Sequence, residues 1–425
     1  GVGGQDSSRG DPFPQSAIKE YTVITQNYSA EFDQISSAAV VAVTQSGGNE
    51  FKGGVFADFT TDHWRAKKPR EKIDDYKTPS NQYQYGANVS GPIIEDVLHF
   101  FVTYEGKSLA DPKDVTAGNG ADFTKLPAGL EQKTGGVTAD FKEDLIFGKL
   151  DLAINEQHAL ELTAKYRDET ELAGVGGTNS LEHATDRDNT DIRASLGHKW
   201  RGDFFLNELK LTYEKSQLNP NPHTNGIGQI YEREERRELL KVGGGEDFQD
   251  KGQKGFGLQE DFTYSGFANH NIKTGLKYKA VTLHAAEQQP YNPQFFYFQG
   301  VTQPSRVKFG APLAGIGNGR VEADNTQWGV YIQDDWRATD KLALNLGVRW
   351  DYEESDVYLD YVTPAKVVEG INSWDAIKKS DVPINNYVSD GNNRQAFKDA
   401  IQPRLGFTYA FNDTGLELFG GAGRA

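Results

Sequence analysis

Residues 341–352 read KLALNLGVRWDY, in which large apolar residues alternate with small or polar ones. Successive side chains of a β-strand point to opposite faces. One face of such a strand carries Leu342, Leu344, Leu346, Val348, Trp350 and Tyr352, and the other carries Ala343, Asn345, Gly347, Arg349 and Asp351. The stretch therefore predicts a β-strand with one apolar and one polar face.

The stretch before it repeats the pattern. Residues 327–336 place Trp328, Val330, Ile332 and Trp336 opposite Gln327, Gly329, Tyr331, Gln333 and Asp335. Only residues 337–340 separate the two stretches, which predicts a β-hairpin.

Similar alternation recurs along most of the chain, for example at residues 98–105, 160–167, 209–214 and 405–411. It assigns Val102 to an apolar face, and Glu105 and Arg167 to polar faces. Alternation predicts about 13 strands after residue 52. The predicted short turns lie at residues 94–96, 155–157, 201–203, 267–269, 338–340 and 412–414. Long polar stretches alternate with these turns, near residues 64–80, 108–142, 171–187, 218–253, 288–320 and 356–400. Short turns on one side and long loops on the other are typical of outer-membrane barrels, and soluble domains rarely have so many long loops.

The predicted strands are about 10 to 15 residues long, the length that crosses an outer membrane. Many have Tyr or Trp toward their ends, as an interfacial aromatic girdle would: Tyr83, Tyr104, Trp200, Tyr213, Trp328, Trp336 and Trp350. The residues alone favour an all-β fold, a transmembrane antiparallel β-barrel, and leave a large soluble β protein as the alternative.

Composition limits the chemistry. The chain has 425 residues with 24 Phe, 19 Tyr and 46 Gly but no Cys, which excludes disulfides, thiolate metal sites and Cys nucleophiles. A net charge of -16 argues against nucleic-acid binding. No window approaches 18 consecutive apolar residues, so no transmembrane helix is expected, and a mean hydropathy of -0.64 is compatible with barrel strands.

The sequence resembles TonB-dependent outer-membrane receptors, and most closely their large-loop, Oar-like branch. Residues 14–59 look like the end of the plug, and residues 40–53 read VVAVTQSGGNEFKG, although Ala38-Ala39 replaces the usual Gly-Gly pair. Four further motifs follow in family order: VSGPIIED at 89–96, IQDDW at 332–336, LGVRWDY at 346–352 and QPRLGF at 402–407.

This resemblance implies two domains. Residues 1–52 would be the C-terminal part of a plug domain, and residues 53–425 the N-terminal part of the barrel with long extracellular loops. The family's TonB box and the first half of its plug would precede Gly1, and its last strands would follow Ala425. Since such transporters have about 22 strands, we expect a fragment that covers about the first half of the barrel.

Catalytic chemistry has no support in the sequence. The eight His form no His-Glu-x-x-His motif and no pair four residues apart, so no metal site is expected. The Gly-rich pieces near residues 174–177, 243–245 and 315–319 fit no phosphate loop. The sequence predicts a protein that is not an enzyme and has no cofactor.

Candidate binding residues are few. Residues 291–298 read YNPQFFYF, and Tyr291, Phe295, Phe296 and Tyr297 could stack on a ligand, although interfacial packing or contact between loops is the favoured explanation. Trp64 is a weaker candidate of the same kind. Arg9 would lie near the ligand-facing side of the plug if the resemblance holds, and an ordinary salt bridge is the alternative.

The resemblance implies an active transporter of the bacterial outer membrane. It would take up a scarce solute, a ferric chelate, an oligosaccharide or a peptide, with energy from the TonB-ExbB-ExbD complex. Two alternatives remain open: a surface adhesin or scaffold anchored in membrane lipid by the barrel, and a soluble secreted carbohydrate-binding protein. A plug favours the transporter over the adhesin, because an anchor needs no domain inside its barrel.

Overall fold

A computed structural model describes residues 8–24, 30–31, 39–310, 319–356, 361–378, 383–384, 387–391, 396–411 and 415–424. Backbone contacts divide the chain into two compact units. Unit 1 comprises Gly1–Val23, Val40–Phe256 and Leu283–Val321, and unit 2 comprises Ile24–Ala39, Gly257–Thr282 and Glu322–Ala425.

Strands dominate the fold. Two short strands pair with each other, β1 (Ile18–Ile24) and β2 (Ala39–Thr44). The next seven are β3 (Lys52–Thr60), β4 (Gln82–Ile94), β5 (Leu98–Val115), β6 (Gly135–Ala153), β7 (His158–Ala173), β8 (Thr185–Arg201) and β9 (Phe205–Pro222). The remainder are β10 (Gly228–Glu232), β11 (Glu238–Gly243), β12 (Phe248–Tyr264), β13 (His270–Gln288), β14 (Gln294–Phe298), β15 (Arg306–Lys308), β16 (Val321–Arg337), β17 (Leu342–Ser355), β18 (Phe397–Phe411) and β19 (Leu416–Gly423).

Thirteen strands form one antiparallel sheet, in the order β3 to β9, β12, β13 and β16 to β19. This confirms the all-β fold, and the sheet has the predicted number of about 13 strands, whereas the four strands of a second sheet, described below, were not predicted. Five predicted short turns separate consecutive strands as expected, including the link between β16 and β17. The predicted turn at residues 412–414 lies outside the described residues.

The exposed face of the sheet is apolar and the buried face is polar or charged. On β17, Val348 is 41% exposed whereas Arg349 is 2% exposed. On β5, Val102 is 42% exposed whereas Glu105 is 3% exposed. A soluble protein buries its apolar face, so this inversion is typical of strands that face lipid.

Several strands are longer than the sequence predicts. β6 has 19 residues, and β5 continues to Val115, inside the stretch expected to be a loop. The register explains the difference, because β5 and β6 remain paired up to Val115 and Gly135. Alternation of apolar residues marks only the part of a strand that faces lipid, so it misses the hydrogen-bonded extension beyond the membrane.

Two stretches predicted as long polar loops contain strands. β10, β11, β14 and β15 form a separate sheet of four strands in unit 1, in the order β11-β10-β14-β15. β10, β11 and β14 contribute to a hydrophobic cluster that includes the buried Leu126, Leu239 and Leu240. These connections therefore form a packed structure, and they were missed because each strand is only three to six residues long.

The α-helices in the described part of the chain are short: α1 (Pro69–Ile73), α2 (Ala365–Ser373) and α3 (Asp375–Lys378). Among the described residues, no helix has the length and apolar character needed to cross a membrane.

Candidate functional site

An N-terminal segment, residues 8–17, lies against the buried face of β5 to β8. Glu105 on β5 accepts hydrogen bonds from the backbone N–H of Gln15 at 3.0 Å and of Ser16 at 2.9 Å. The hydroxyl of Ser16 donates to the same carboxylate at 2.8 Å. Hydrogen bonds to an ionised acceptor are stronger than neutral ones, so one buried carboxylate holds the backbone of the segment on β5.

Asp11 joins the segment to two further strand residues. Nζ of Lys107 lies 2.6 Å from a carboxylate oxygen of Asp11 and 3.3 Å from one of Glu143. The backbone N–H of Asp11 donates to Glu143 at 2.8 Å. At the preceding Gly10, a Cβ would lie 1.9 Å from Oε1 of Glu143 and 2.1 Å from Oε1 of Glu169, so a larger residue there would displace these two carboxylates.

Charged groups of β5 to β8 also pair with one another. Nζ of Lys165 lies 2.6 Å from Oδ2 of Asp191, and both side chains are more than nine-tenths buried. Nε of Arg167 lies 3.3 Å from Glu169, and Nε of Arg193 lies 3.4 Å from Asp191. We call the following set the charged wall: Glu105, Lys107, Glu143, Lys165, Arg167, Glu169, Asp191 and Arg193.

An apolar layer lies beside the charged wall. The ring of Phe13 meets Phe147 edge to face, with 6.1 Å between centroids, and Phe147 in turn contacts Phe101. Nζ of Lys165 lies 4.9 Å from the centroid of Phe13. Phe13 and the fully buried Ala17 give the segment apolar contacts beside its polar ones.

Arg9, a predicted binding residue, is neutralised by two strand carboxylates. Its guanidinium donates to Asp111 at 2.8 Å and to Glu171 at 3.1 Å, and lies 5.4 Å from the ring centroid of Phe141. The hydrogen bond to Asp111 is the main cause of a raised pKa of Arg9. The structure thus gives Arg9 the salt bridges considered as the alternative to a ligand contact, and it leaves 38% of the side chain exposed.

The predicted aromatic residues at 291–298 lie on both faces of β14. Tyr297 stacks on Tyr231 of β10 with 5.5 Å between centroids, whereas Phe296 points to the other face and lies 3.9 Å from the guanidinium of Arg306. Phe295 is half-buried opposite Val307. The three residues therefore pack within the small sheet and do not form one continuous platform.

Tyr291 and Trp64 are the more exposed of the predicted aromatic residues. Tyr291 is 38% exposed and stacks on Phe248, with 5.1 Å between centroids. Trp64 is 65% exposed and contacts Phe59, with 5.2 Å between centroids. Neither residue contacts the N-terminal segment in any pairing that the structure describes.

The connection that carries Trp64 is ordered by one buried carboxylate. Glu71 on α1 accepts two hydrogen bonds from the guanidinium of Arg65 and one each from the backbone N–H of Lys68 and Thr78. The hydrogen bonds from Arg65 are the main reason why the pKa of Glu71 lies far below its ordinary value. Glu71 is 3% exposed, so this loop is closed around an ion pair.

The junction between β2 and β3 is fixed to the turn between β4 and β5. Oδ1 of Asn49 accepts a hydrogen bond from the backbone N–H of Asp96 at 2.8 Å and lies 2.7 Å from Nε2 of His99. A Cβ on Gly47 would lie 2.4 Å from the carbonyl oxygen of Phe100. Asn49 and Gly47 belong to a motif quoted above, but the sequence alone assigned them no role.

In unit 2, two residues between β1 and β2 contact the buried face. The backbone N–H of Ala30 donates to Oε1 of Gln333 at 2.7 Å, and its carbonyl accepts from Arg349 at 3.3 Å. Lys273 forms an ion pair with Glu31. Ala30 is fully buried, so this turn is seated on side chains from β13, β16 and β17.

A cavity of about 150 Å³ lies in unit 2, lined in part by Lys277, Gln327, Arg349, Asp351 and Gln402. Asp351 accepts hydrogen bonds from Arg349 at 2.7 Å and from Gln402 at 2.8 Å. Asp351, Arg349 and Gln402 therefore satisfy one another without a ligand.

The charged wall is the part of the site that sequence reasoning missed. Glu105 and Arg167 were placed on the polar faces of strands, but nothing in the pattern showed which groups pair. A usable signal was present, since ionisable residues on strands that cross a membrane are costly and mark functional surfaces. Their partners depend on strand register and on the distant residues 8–17.

The family model described as "Outer membrane beta barrel domain" matches residues 43–120 and 119–424. The TonB-dependent transporter Oar of Myxococcus xanthus is 29% identical over 173 residues, which cover 35% of this chain and 15% of that protein.

Two solved structures share the fold. The outer membrane transporter YddB of Escherichia coli has a TM-score of 0.62 at 11% identity, over 96% of this chain and 47% of that one. A ferric enterobactin receptor (PfeA) mutant of Pseudomonas aeruginosa has a TM-score of 0.57 at 14% identity, over 97% of this chain and 50% of that one. The chain thus spans about half the length of these structures and a smaller part of Oar.

Proposed function

The chain belongs to the outer membrane β-barrel domain family, and from this premise we propose that the full-length protein is an active, TonB-dependent transporter. The predicted location in the outer membrane is confirmed by the family match and the related transporters. Within this proposal, residues 1–52 are the end of a plug and residues 53–425 are barrel strands and extracellular loops.

One observation carries the proposal. Residues 8–17 pack on the charged face of β5 to β8 through Glu105, Glu143 and Lys107. An adhesin that uses a barrel only as an anchor needs no such segment, and a soluble protein would bury the apolar face of the sheet instead. A segment that fills the polar side of membrane strands supports a gated transporter.

Transport of this kind requires binding and movement and no covalent chemistry. A solute bound at loops and plug is released inward when TonB, driven by ExbB and ExbD, displaces the plug. The solute is released because its affinity for the protein differs between two arrangements of the plug. The contacts of residues 8–17 are hydrogen bonds and ion pairs, which water can replace once the segment moves.

Solute identity remains open among a ferric chelate, an oligosaccharide and a peptide. Arg9, Trp64, Tyr291, Phe295, Phe296 and Tyr297 stay predictions as binding residues. Trp64 and Tyr291 have the exposed ring surface that a solute can reach from loops, whereas Arg9 would first have to leave Asp111 and Glu171.

The test uses the full-length protein in native outer membranes. Binding and uptake are measured with three probes, ferric enterobactin, maltohexaose and an oligopeptide, in cells with and without tonB. We expect uptake of one probe that disappears without tonB while binding to the purified protein is retained. Uptake that is independent of tonB, or binding of none of the probes by an intact surface-exposed protein, contradicts the proposal.

A further inference from the structure

The connection between β3 and β4, residues 61–81, packs against the outer side of the sheet. On β6 the inward residues contact the N-terminal segment, so the residues that alternate with them face outward. One of these, Thr138, donates its hydroxyl to the carbonyl of Pro79 at 3.0 Å. A Cβ on another, Gly136, would lie 2.1 Å from Oγ1 of Thr78. The connection is therefore folded over the outer wall of the sheet and not over its polar face.

Aromatic contacts place the start of this connection at the membrane surface. Phe56 on β3 faces inward beside Glu105, so Phe59, three residues further on, faces outward. Phe59 pairs with Tyr83 on β4 and contacts the ring of Trp64. These last three side chains are at least 44% exposed. Aromatic residues at the ends of membrane strands lie at the level of the lipid headgroups, and long connections lie on the extracellular side.

The connection is basic, although the chain is acidic. Residues 61–81 contain six basic residues and four acidic ones, whereas the whole chain has a net charge of -16. Arg65 and the buried Glu71 neutralise each other inside the connection. Its remaining charges are five basic side chains, Lys67, Lys68, Arg70, Lys72 and Lys77, and three acidic ones, Asp62, Asp74 and Asp75.

Three of the five cations can reach a ligand. Lys67 and Arg70 form ion pairs with Asp75 and Asp74, and all four side chains are at least one-third exposed. Exposed ion pairs of this kind contribute little to stability, so these cations can exchange partners. Lys72 is exposed and has no carboxylate partner among the described residues.

The other two cations hold the connection in place. Nζ of Lys68 donates to the carbonyl of Pro112 on β5 at 2.9 Å, and Nζ of Lys77 donates to the carbonyl of Arg65 at 2.7 Å. Glu71 also binds backbone N–H groups of the connection. The exposed cations are therefore carried by an ordered loop, which loses less entropy when it binds a ligand.

A second basic connection, between β13 and β16, differs in this respect. Its Arg306 pairs with the buried Glu232 at 2.8 Å, and its Lys308 pairs with Glu246 at 3.0 Å. These positive charges are thus neutralised by carboxylates of another connection. In residues 61–81, by contrast, basic side chains outnumber the acidic ones and stand beside exposed apolar residues, Ile73 and Tyr76. Such a combination is typical of segments that lie on an anionic membrane surface.

We propose that residues 61–81 bind lipid of the outer leaflet, with Lys67, Arg70 and Lys72 on the phosphate groups of lipid A and Trp64 among the headgroups. The partner follows from position and charge, because the layer beside the outer wall of a membrane sheet is lipid and its anionic groups at this level are phosphates. The contact anchors the extracellular ends of the first strands. It is independent of transport, so either proposal can fail alone.

Lipid binding is measured on the full-length protein in detergent micelles by native mass spectrometry. The probes are lipid A with both phosphates and the same lipid after their removal. One basic residue near an anionic membrane surface strengthens binding about fivefold. K67Q/R70Q/K72Q should therefore bind phosphorylated lipid A about 10- to 100-fold more weakly than the unmodified protein, and the dephosphorylated lipid should bind both proteins weakly and equally.

The matched control removes the same charge from other connections. Lys125, Lys133 and Arg237 are exposed there, so K125Q/K133Q/R237Q should keep the affinity of the unmodified protein. Hydrogen exchange at residues 65–78 should be unchanged in K67Q/R70Q/K72Q, because the side chains that hold the connection are intact. If exchange there increases, K72Q alone decides the matter, since Lys72 has no described side-chain partner, and it should bind about fivefold more weakly.

Four results would overturn the proposal. They are unchanged affinity of K67Q/R70Q/K72Q or of K72Q, an equal loss in the control variant, equal binding of the dephosphorylated lipid by the unmodified protein, and displacement of lipid A by inorganic phosphate, which would indicate a site for free phosphate and not for a lipid surface.

Discussion

The carboxylate of Glu105 accepts two hydrogen bonds from Ser16, one from its backbone N–H at 2.9 Å and one from its hydroxyl at 2.8 Å. Glu105 is 3% exposed, on a strand whose opposite face is apolar. A buried carboxylate on a membrane strand is unfavourable without such donors. Residues 8–17 and β5 therefore stabilise each other.

Glu105→Gln should loosen the segment. The substitution keeps the shape but removes the charge, and it turns an amide N–H₂ toward the N–H donors of Gln15 and Ser16. Losing charge-assisted hydrogen bonds of this kind costs about 1.5–3 kcal/mol. Hydrogen exchange at residues 15–17 of the full-length protein should become about 10- to 100-fold faster.

The exposed turn residue Glu156 supplies the control E156Q, which should leave exchange at residues 15–17 unchanged. Unchanged protection in E105Q would falsify the role assigned to Glu105.

Asp191→Asn should destabilise the strands more than loss of an exposed ion pair. Lys165 loses a partner at 2.6 Å and is left as a buried charge. Removing one partner of a buried pair costs about 3–5 kcal/mol, whereas E208Q, which breaks the exposed pair of Lys199 and Glu208, should cost about 0–1 kcal/mol. The free energy of unfolding in detergent micelles measures both. Equal losses would show that the pair is not buried in the folded protein.

Much of the sheet could be predicted because membrane strands alternate. Val102 and Val348 were assigned to the apolar face and are exposed, while Arg349 was assigned to the opposite face and is buried. Short turns were also predictable, because they interrupt the alternation at residues such as Asn155 and Ala338. The local pattern was sufficient to predict a strand wherever one of its faces is in contact with lipid.

The rest of the fold and of the site depends on contacts between residues that are distant in the sequence. β5 continues to Val115 without an apolar face, because pairing with β6 maintains it. β14 pairs with β10, more than 60 residues away, so the sequence predicted a loop where its aromatic residues form a strand. The contact between Lys165 and Asp191 requires the register of β7 and β8. None of these relationships leaves a periodic mark in the sequence.

The small sheet of β10, β11, β14 and β15 should unfold locally when its core is reduced. Leu240 is fully buried, and Leu→Ala in a packed core costs about 2–5 kcal/mol. In L240A, limited proteolysis should cut the connections of this sheet while the membrane strands stay protected. Leu181 is 39% exposed, so L181A is the control and should resist cleavage. Resistance of L240A equal to that of the unmodified protein would show that these connections are not a packed core.

The loop closed by Arg65 and Glu71 should resist acid. A carboxylate whose pKa is lowered on folding contributes stability that is complete above its unfolded pKa, about 4.3, and is lost as the pH falls through the lowered folded value. Glu71 is such a carboxylate, because the hydrogen bonds from Arg65 lower its pKa in the folded protein. Hydrogen exchange at residues 65–78 should stay slow through pH 4 and increase only at lower pH.

E71Q removes the titrating group and should give fast exchange at all pH values. A loop that opens near the ordinary pKa of a glutamate would mean that the ion pair does not form.

The most direct test of the account is the environment of two neighbouring residues on β17. Leu346 is 36% exposed on the apolar face, and Asn345 lies on the opposite face, where its side chain donates to Asp335. Spin labels are placed at L346C and N345C in the full-length protein in lipid bilayers, and their collision rates with oxygen and with a water-soluble nickel complex are measured. For a strand that crosses the outer membrane with a polar interior, oxygen should reach the label at 346 more readily than nickel does, and the label at 345 should show the reverse preference. Contact of both labels with the nickel complex, or burial of the label at 346 away from lipid, would contradict a membrane barrel.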